Sequence, residues 1–162
     1  MQYVLLVAAV SLLSASCSKG EDNDPDPASG NPTDVAMVTW LLGTWGNSDS
    51  NGSIYIDNTY EFKKDGTFYK ILSSGFSGGR QATAYSGKFR VSGNKLTLYK
   101  QLKSTGPATA THFKIIWYIT MDSFETKDVP CEDTEYIISK IDNDILRIGT
   151  NEGIYTDFKR GQ

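Results

Sequence analysis

The sequence is poor in the side chains on which most metal sites depend. It contains one histidine, His112, and two cysteines, Cys17 and Cys131, in a chain of 162 residues. A single histidine excludes a multi-histidine metal site. We expect His112 to be a surface residue at the start of a strand, and a ligand or proton-transfer role is the alternative.

Several motifs of cofactor and nucleic-acid binding are also missing. The chain has no Cys-X-X-Cys pair, no phosphate-binding glycine loop and no dinucleotide fingerprint. The acidic stretch Met121–Glu135 lacks the spacing and the sharp-turn glycine of a calcium loop. The formal net charge is −3 and no basic stripe occurs, which argues against a nucleic-acid partner. We therefore predict no metal, no cofactor and no catalytic residues. An enzyme whose activity depends on His112 is the alternative.

The residues that are abundant favour β-structure. Nine tyrosines, seven phenylalanines and fifteen glycines suit strands that are joined by tight turns. The length favours a single domain, which we place at residues 33–162. Neither an internal repeat nor a second domain is apparent.

The N-terminus has the features of an export signal. Residues 1–16 carry no charge, and the apolar run Tyr3–Leu13 is too short to span a bilayer. The string Leu13-Ser14-Ala15-Ser16-Cys17 resembles the lipobox of bacterial lipoproteins. This resemblance implies a signal peptide over 1–16, lipidation of Cys17 and a lipid-anchored protein of the cell envelope. Only Cys131 would then remain as a thiol, so no intramolecular disulfide is expected. A signal peptide that is cut elsewhere, with Cys17 as a plain thiol, is the alternative.

Residues 17–32 are predicted to be a flexible linker. They contain no aromatic or branched aliphatic side chain, so they cannot bury enough surface to offset the entropy of ordering. Fully extended at ~3.3 Å per residue, the linker would reach about 50 Å. Lys19-Gly20-Glu21-Asp22 resembles the tag that sends Bacteroidota lipoproteins to the outer face of the outer membrane. A generic soluble spacer is the alternative.

A short helix and a series of strands are predicted after the linker. Asn31 and Pro32 form a helix start, and an apolar stripe of Val35, Val38, Leu41 and Leu42 follows. Gly75, Gly78 and Gly79 are expected in a flexible flap. Alternation and turn signals predict a first strand around Trp45 and further strands over Thr59–Lys63, Thr67–Ser73, Thr83–Val91, Lys95–Leu102, Ala110–Met121, Thr134–Ile141, Ile145–Gly149 and Ile154–Arg160.

This succession of strands predicts an all-β fold, an antiparallel up-and-down eight-stranded barrel with a short N-terminal helix. Closure of such a meander removes its exposed edges. Eight strands enclose just enough room for packed side chains or one small ligand. Ala110–Met121 is apolar on both faces, so we expect its outer side to be covered.

One short motif indicates how the barrel is closed. Gly43 allows a sharp turn before Trp45, and Arg160 shares a face of the last strand with Phe158. Gly43-Thr44-Trp45 resembles the Gly-X-Trp signature of the lipocalins and of the wider calycin superfamily. The resemblance implies that a basic residue of the last strand packs on the tryptophan. Arg160 fits this role, with Lys159 as a second choice. A tryptophan that simply fills the core is the alternative.

The barrel interior is the predicted binding site for a small hydrophobic or amphipathic molecule. Lys70, Lys100 or Tyr85 could supply a polar anchor. The alternative is a solid barrel whose surface docks a protein or a glycan. The side chains that are predicted to point inward are those of Tyr60, Phe62, Phe68, Leu72, Tyr85, Phe89, Leu98 and Trp117.

Overall fold

A computed structural model of the protein describes residues 26–28, 30–51, 54–76, 79–107, 110–113, 116–119 and 129–161. In 51, 55, 76, 79–81, 105–107, 110–113 and 116–119 the description covers the backbone alone. Within these ranges the chain forms one α-helix and eleven β-strands. They are α1 (Pro32–Leu41), β1 (Gly43–Asn51), β2 (Ile54–Phe62), β3 (Thr67–Phe76), β4 (Gly79–Ser92), β5 (Lys95–Pro107), β6 (Ala110–Phe113), β7 (Ile116–Ile119), β8 (Val129–Cys131), β9 (Thr134–Lys140), β10 (Ile145–Gly149) and β11 (Tyr155–Arg160).

The helix begins and ends at the residues that the sequence indicates. The Asn31 side chain accepts a hydrogen bond from the Thr33 N–H at 3.0 Å, and Pro32 occupies the first turn. After the helix, Gly43 has a φ of 113°, which a residue with a Cβ rarely adopts. This turn directs the chain from α1 into β1.

The buried face of α1 differs from the predicted one at its start. Leu41 of the predicted stripe is buried and Val38 and Leu42 pack against the core, but Val35 is 48% exposed and Asp34 is buried instead. The Asp34 carboxylate accepts a hydrogen bond from the Gly93 N–H at 2.8 Å. Because this contact turns Asp34 toward the barrel, Val35 faces solvent.

The strands form a closed eight-stranded antiparallel barrel, so the predicted fold class is confirmed. Each of β1 to β4 pairs with the next strand in the chain. β5 then pairs with β9, β9 with β10 and β10 with β11. β11 returns to β1 and completes the ring. The eight barrel strands therefore follow one another in chain order, with β6, β7 and β8 inserted between the fifth and the sixth.

The predicted flap between the third and fourth strands is wrong. β3 continues to Phe76 and β4 starts at Gly79, with Gly75 paired to Arg80. Gly78 lies outside the described residues. A glycine with extended backbone can still pair through its main chain, so glycine content alone did not mark the end of these strands.

The predicted long strand Ala110–Met121 is also wrong. Two short strands replace it, and they pair with each other, with Ala110 opposite Ile119 and Phe113 opposite Ile116. This β6–β7 hairpin forms a separate two-stranded sheet, and β7 packs near β1 and β2. A run that is apolar on both faces does not distinguish one strand between two layers from a hairpin that packs on a barrel.

A bulge interrupts the pairing of β4 with β5 at Gly87. A Cβ at this position would lie 2.7 Å from the Tyr99 carbonyl oxygen and 3.0 Å from that of Lys100. Lys100 has a φ of 50°, consistent with an extra residue in β5. Glycine is therefore required at position 87 because the two backbones approach so closely.

Gln101 fills a gap beside this bulge. β8 and β9 lie on the same edge of β5 in one continuous register, with Cys131 opposite Gln101 and Thr134 opposite Leu98. The buried Gln101 Nε2 lies 2.6 Å from the Glu132 carbonyl oxygen, 2.9 Å from Thr134 Oγ1 and 3.3 Å from the Leu98 carbonyl oxygen. Its amide thus bridges β5 and the break between β8 and β9.

Part of the predicted linker packs on the barrel. The Val91 N–H donates to the Pro27 carbonyl oxygen at 2.7 Å, and the buried Ala28 pairs with Val91 as a parallel bridge. The Pro27 ring lies against Gly66. We call Asp26–Ala28 the N-terminal strap. A tether that is free of the barrel therefore cannot extend beyond Asp26.

The barrel has two different ends. At the closed end lie α1, the N-terminal strap and the connections β2–β3, β4–β5 and β9–β10. At the open end the chain connects β1 to β2, β3 to β4 and β10 to β11. The buried core consists of Leu41, Trp45, Tyr60, Phe62, Phe68, Phe89, Val91, Leu96, Leu98, Ile138, Leu146, Ile148 and Phe158.

Candidate functional site

The structure brings Trp45 and Arg160 together at the closed end. They face each other across β1 and β11, and the guanidinium carbon lies 4.0 Å from the Trp45 ring centroid. Trp45 is fully buried. Lys159, the second choice for this contact, is exposed. The alternation of β11 explains the difference, because neighbouring residues of a strand point to opposite faces.

The same two side chains satisfy the carbonyl groups at the end of α1. The Trp45 Nε1–H donates to the Leu41 carbonyl oxygen at 2.7 Å. Arg160 donates from Nη2 to Trp40 at 2.7 Å and from Nη1 to Leu42 at 3.0 Å. The last carbonyl groups of a helix lack partners within the helix, and they favour a cation. This arrangement fastens the helix over the closed end, and it offers no group for chemistry.

Toward the open end, the inner face of the barrel wall is exposed and the outer face is buried. Leu72 lies on the same face of β3 as the buried Phe68, yet it is 40% exposed, whereas the neighbouring outward-facing Ser73 is 1% exposed. β2 repeats this pattern, with Ile56 at 46% and Asp57 at 3%. The inner wall near the open end is therefore accessible to solvent. We call this region the open half.

The outer wall of the open half is covered. The Asp57 carboxylate accepts hydrogen bonds from the Ser48 hydroxyl at 2.5 Å and from the Ser73 hydroxyl at 3.5 Å. β7 packs near β1 and β2. The buried residues that face outward here are Asp57, Thr59, Ile71, Ser73, Ala82, Ala84 and Ser104.

One row of side chains forms the floor of the open half. Tyr60, Lys70 and Tyr85 are direct neighbours across β2, β3 and β4. Tyr136 reaches the same level from β9, and its hydroxyl lies 3.3 Å from Lys70 Nζ. The amine lies 5.1 Å from the Tyr60 ring centroid, 5.6 Å from that of Tyr85 and 5.5 Å from that of Tyr136. We call these four residues the tyrosine–lysine cluster.

The environment of the cluster favours the neutral form of the Tyr60 phenol. Burial raises the pKa of Tyr60 well above its usual value of 10.0, and the neighbouring Tyr136 and Tyr85 raise it further. Tyrosine rings attract a cation through their faces. Among the residues that the structure describes, no carboxylate pairs with Lys70. The cluster can therefore bind a polar group by hydrogen bonding and charge.

The predicted inward residues divide into three groups. Tyr60, Phe62, Phe68, Phe89 and Leu98 are buried in the core. Tyr85 is partly buried at the floor of the open half, and Leu72 lies in the open half itself. Trp117 belongs to the β6–β7 hairpin and not to the barrel ring, and its side chain lies outside the described residues.

The polar anchors are also distributed differently from the sequence prediction. Lys70 and Tyr85 lie in the cluster, whereas Lys100 is exposed at the bulge. Tyr136 was not singled out from the sequence. Its alternation with Ile138 and Lys140 in β9 was a usable signal, because it places all three on one face.

Metal ligands and similar proteins give no further indication of function. The described residues contain no group of three or more histidine, cysteine or acidic side chains that could hold a metal ion. Across the same part of the chain, no helix has the length and apolar character to cross a membrane. Comparison with protein-family models, with curated proteins and with solved structures finds no match to this chain.

Proposed function

We propose that this protein is a cell-envelope lipoprotein whose barrel binds a small hydrophobic or amphipathic molecule. One observation carries the binding role, which is the exposure of Leu72 and Ile56 on the inner wall while the outer wall beside them is buried. Apolar side chains on a concave surface gain free energy when a ligand removes them from water. The role is binding and not catalysis.

The address rests on the sequence of residues 1–17, which lie outside the described residues. Lipidation of Cys17 would anchor the barrel, and the Lys19-Gly20-Glu21-Asp22 string supports the outer membrane and its outer face. The test is expression of the full chain and of Cys17→Ser in a Gram-negative host. The parent chain should partition with detergent and carry acyl groups in mass spectra, whereas Cys17→Ser should be soluble. Equal partition of both chains would refute the anchor.

The binding role is tested with the neutral fluorescent probe N-phenyl-1-naphthylamine. The protein should enhance its fluorescence, and Leu72→Gln should weaken binding because contact with the leucine is lost. Removing about two methylene equivalents of contact, at ~0.8 kcal/mol each, predicts a roughly tenfold weaker affinity. Val35→Gln is the matched control, because Val35 is similarly exposed but lies on α1 at the closed end.

The outcomes of the probe titration decide whether the inner wall of the open half binds a ligand. If the probe does not bind, or if Leu72→Gln and Val35→Gln weaken binding equally, the ligand-binding proposal is refuted. A loss that is confined to Leu72→Gln supports it.

The second candidate is docking of a protein or a glycan partner at the rim of the open end. Ile54 and Ile154 border this end and are 55% and 66% exposed. Exposed apolar side chains of this size are typical of interaction surfaces when they lie together. Docking would require Ile54→Gln or Ile154→Gln to weaken attachment of the protein to cells or to glycan arrays, with probe binding unchanged.

A further inference from the structure

The tyrosine–lysine cluster suggests which class of molecule enters the open half, provided that the proposed binding role holds. Lys70 lies in the middle strand of the row, between Tyr60 and Tyr85, with Tyr136 facing it from β9. Its amine is therefore held inside the barrel and not on the outer surface. A lysine in this position places a positive charge at the floor of a solvent-accessible cup, and Lys103 on β5 follows Tyr85 in the same row.

The partners of this amine leave part of its hydrogen-bonding capacity for a ligand. An ammonium group has three N–H donors. The Tyr136 hydroxyl oxygen accepts one of them at 3.3 Å, and aromatic ring faces surround the group at more than 5 Å. Ring faces attract a cation, but they do not replace an oxyanion as a hydrogen-bond acceptor.

The rows above the cluster define what lies next to the amine. On β3, Leu72 is two residues from Lys70 on the same face and closer to the open end. On β2, Ile56 lies four residues from Tyr60 in the same direction. The wall thus has a cation and phenols at the floor, and toward the opening Leu72 and Ile56 lie among polar neighbours, which are Asn58, Thr83, Asp49 and Ser74.

We infer that the open half binds an amphipathic anion with its oxyanion head at Lys70 and its apolar part along Leu72 and Ile56. The head enters first and accepts hydrogen bonds from Lys70 Nζ, with the Tyr85 hydroxyl as a second donor. The apolar part then lies in the upper half of the barrel. A neutral molecule of the same shape gains the apolar contacts only, and a cationic one is repelled.

The experiment compares three probes with the same apolar chain, which are decanoate, decanol and decylammonium. Each displaces N-phenyl-1-naphthylamine from the full-length mature protein at neutral pH. Decanoate should bind about tenfold or more tightly than decanol, because hydrogen bonds to a charged group exceed the worth of neutral ones. Decylammonium should bind most weakly.

Variants assign the preference to Lys70. Lys70→Met should reduce decanoate affinity about tenfold or more and leave decanol affinity within about twofold, whereas Lys70→Arg should retain the preference. Lys64→Met is the matched control, because it removes one charge from an exposed lysine in the turn at the closed end. Should Lys70→Met fail to fold, the comparison of the three probes on the unaltered protein still tests whether the ligand is an anion. Tyr85→Phe then tests the second hydrogen-bond donor and should weaken decanoate binding more than decanol binding.

Each outcome has one meaning. Equal binding of the three probes refutes the anionic ligand and leaves the binding role standing. Retention of the decanoate preference in Lys70→Met refutes the assignment to this residue. Failure of the three probes and of the fluorescent reporter to bind refutes the binding role itself and this inference with it.

Discussion

Replacement of Arg160 provides the most direct test of how the barrel is closed. The guanidinium lies over the Trp45 ring and donates to the carbonyl oxygens of Trp40 and Leu42. A third contact, from Nε to the Asn143 carbonyl oxygen at 3.2 Å, ties it to the turn between β9 and β10. One side chain therefore joins the helix, the first strand and two of the last strands.

The expected loss follows from these contacts. Arg160 is 28% exposed, so we take the lower range for each interaction. Two charge-assisted hydrogen bonds contribute about 1 kcal/mol each and the cation–π contact about 1 kcal/mol. Arg160→Met should therefore lower the free energy of unfolding by about 3 kcal/mol. Arg160→Lys retains the charge but cannot span both carbonyl groups, and about half of this loss is expected.

Urea unfolding that is monitored by circular dichroism and by tryptophan fluorescence measures this loss. Lys159→Met is the matched control, because Lys159 is the adjacent residue of β11 and points to solvent. A surface change of this kind usually alters stability by no more than about 0.5 kcal/mol. If Arg160→Met and Lys159→Met unfold with the same free energy, the guanidinium does not hold the closed end together.

Two further perturbations test the bulge and the cluster. Gly87→Ala should lower the free energy of unfolding by about 2 kcal/mol in urea titrations, because its Cβ would overlap the Tyr99 carbonyl oxygen. Ser86→Ala is the control and should have little effect. Equal losses in the two variants would contradict the close approach of the two backbones. Burial raises the pKa of Tyr60, so the folded protein holds this phenol proton more strongly than the unfolded chain does. The contribution of the neutral Tyr60 phenol to stability is complete below about pH 10, and it is lost as the pH rises above that value because the unfolded chain then ionises first. Between about pH 9 and about pH 11 the parent protein should therefore lose about 1 kcal/mol more stability than Tyr60→Phe. Equal losses would mean that Tyr60 ionises freely in the fold.

The ring of strands could be predicted because its signals are local. Lys64-Asp65-Gly66 indicates a tight turn, and in the structure Asp65 accepts hydrogen bonds from the backbone N–H and the hydroxyl of Thr67. Gly66 has a φ of 77°. Each such turn sets the register of the two strands that flank it, so alternation then assigns an inner and an outer face.

The floor of the open half could be predicted only in part because it joins residues that are distant in the chain. Lys70 and Tyr136 come from different walls, and their contact exists only after the barrel has closed. Alternation placed Lys70 and Leu72 on one face, but it could not show that the core ends between them. The exposure of Leu72 depends on where packing stops along the barrel axis, and neighbouring residues in the sequence do not encode that depth.

The N-terminal strap determines how a membrane-anchored form would be presented. If Cys17 carries the lipid, the nine residue-to-residue steps from Cys17 to Asp26 reach at most about 30 Å at ~3.3 Å per residue, and they join the barrel beside its closed end. The mouth then looks away from the bilayer. A ligand of the open half would then be exchanged with the surrounding medium, and direct transfer from the leaflet that holds the lipid anchor would require the barrel to turn over on its linker.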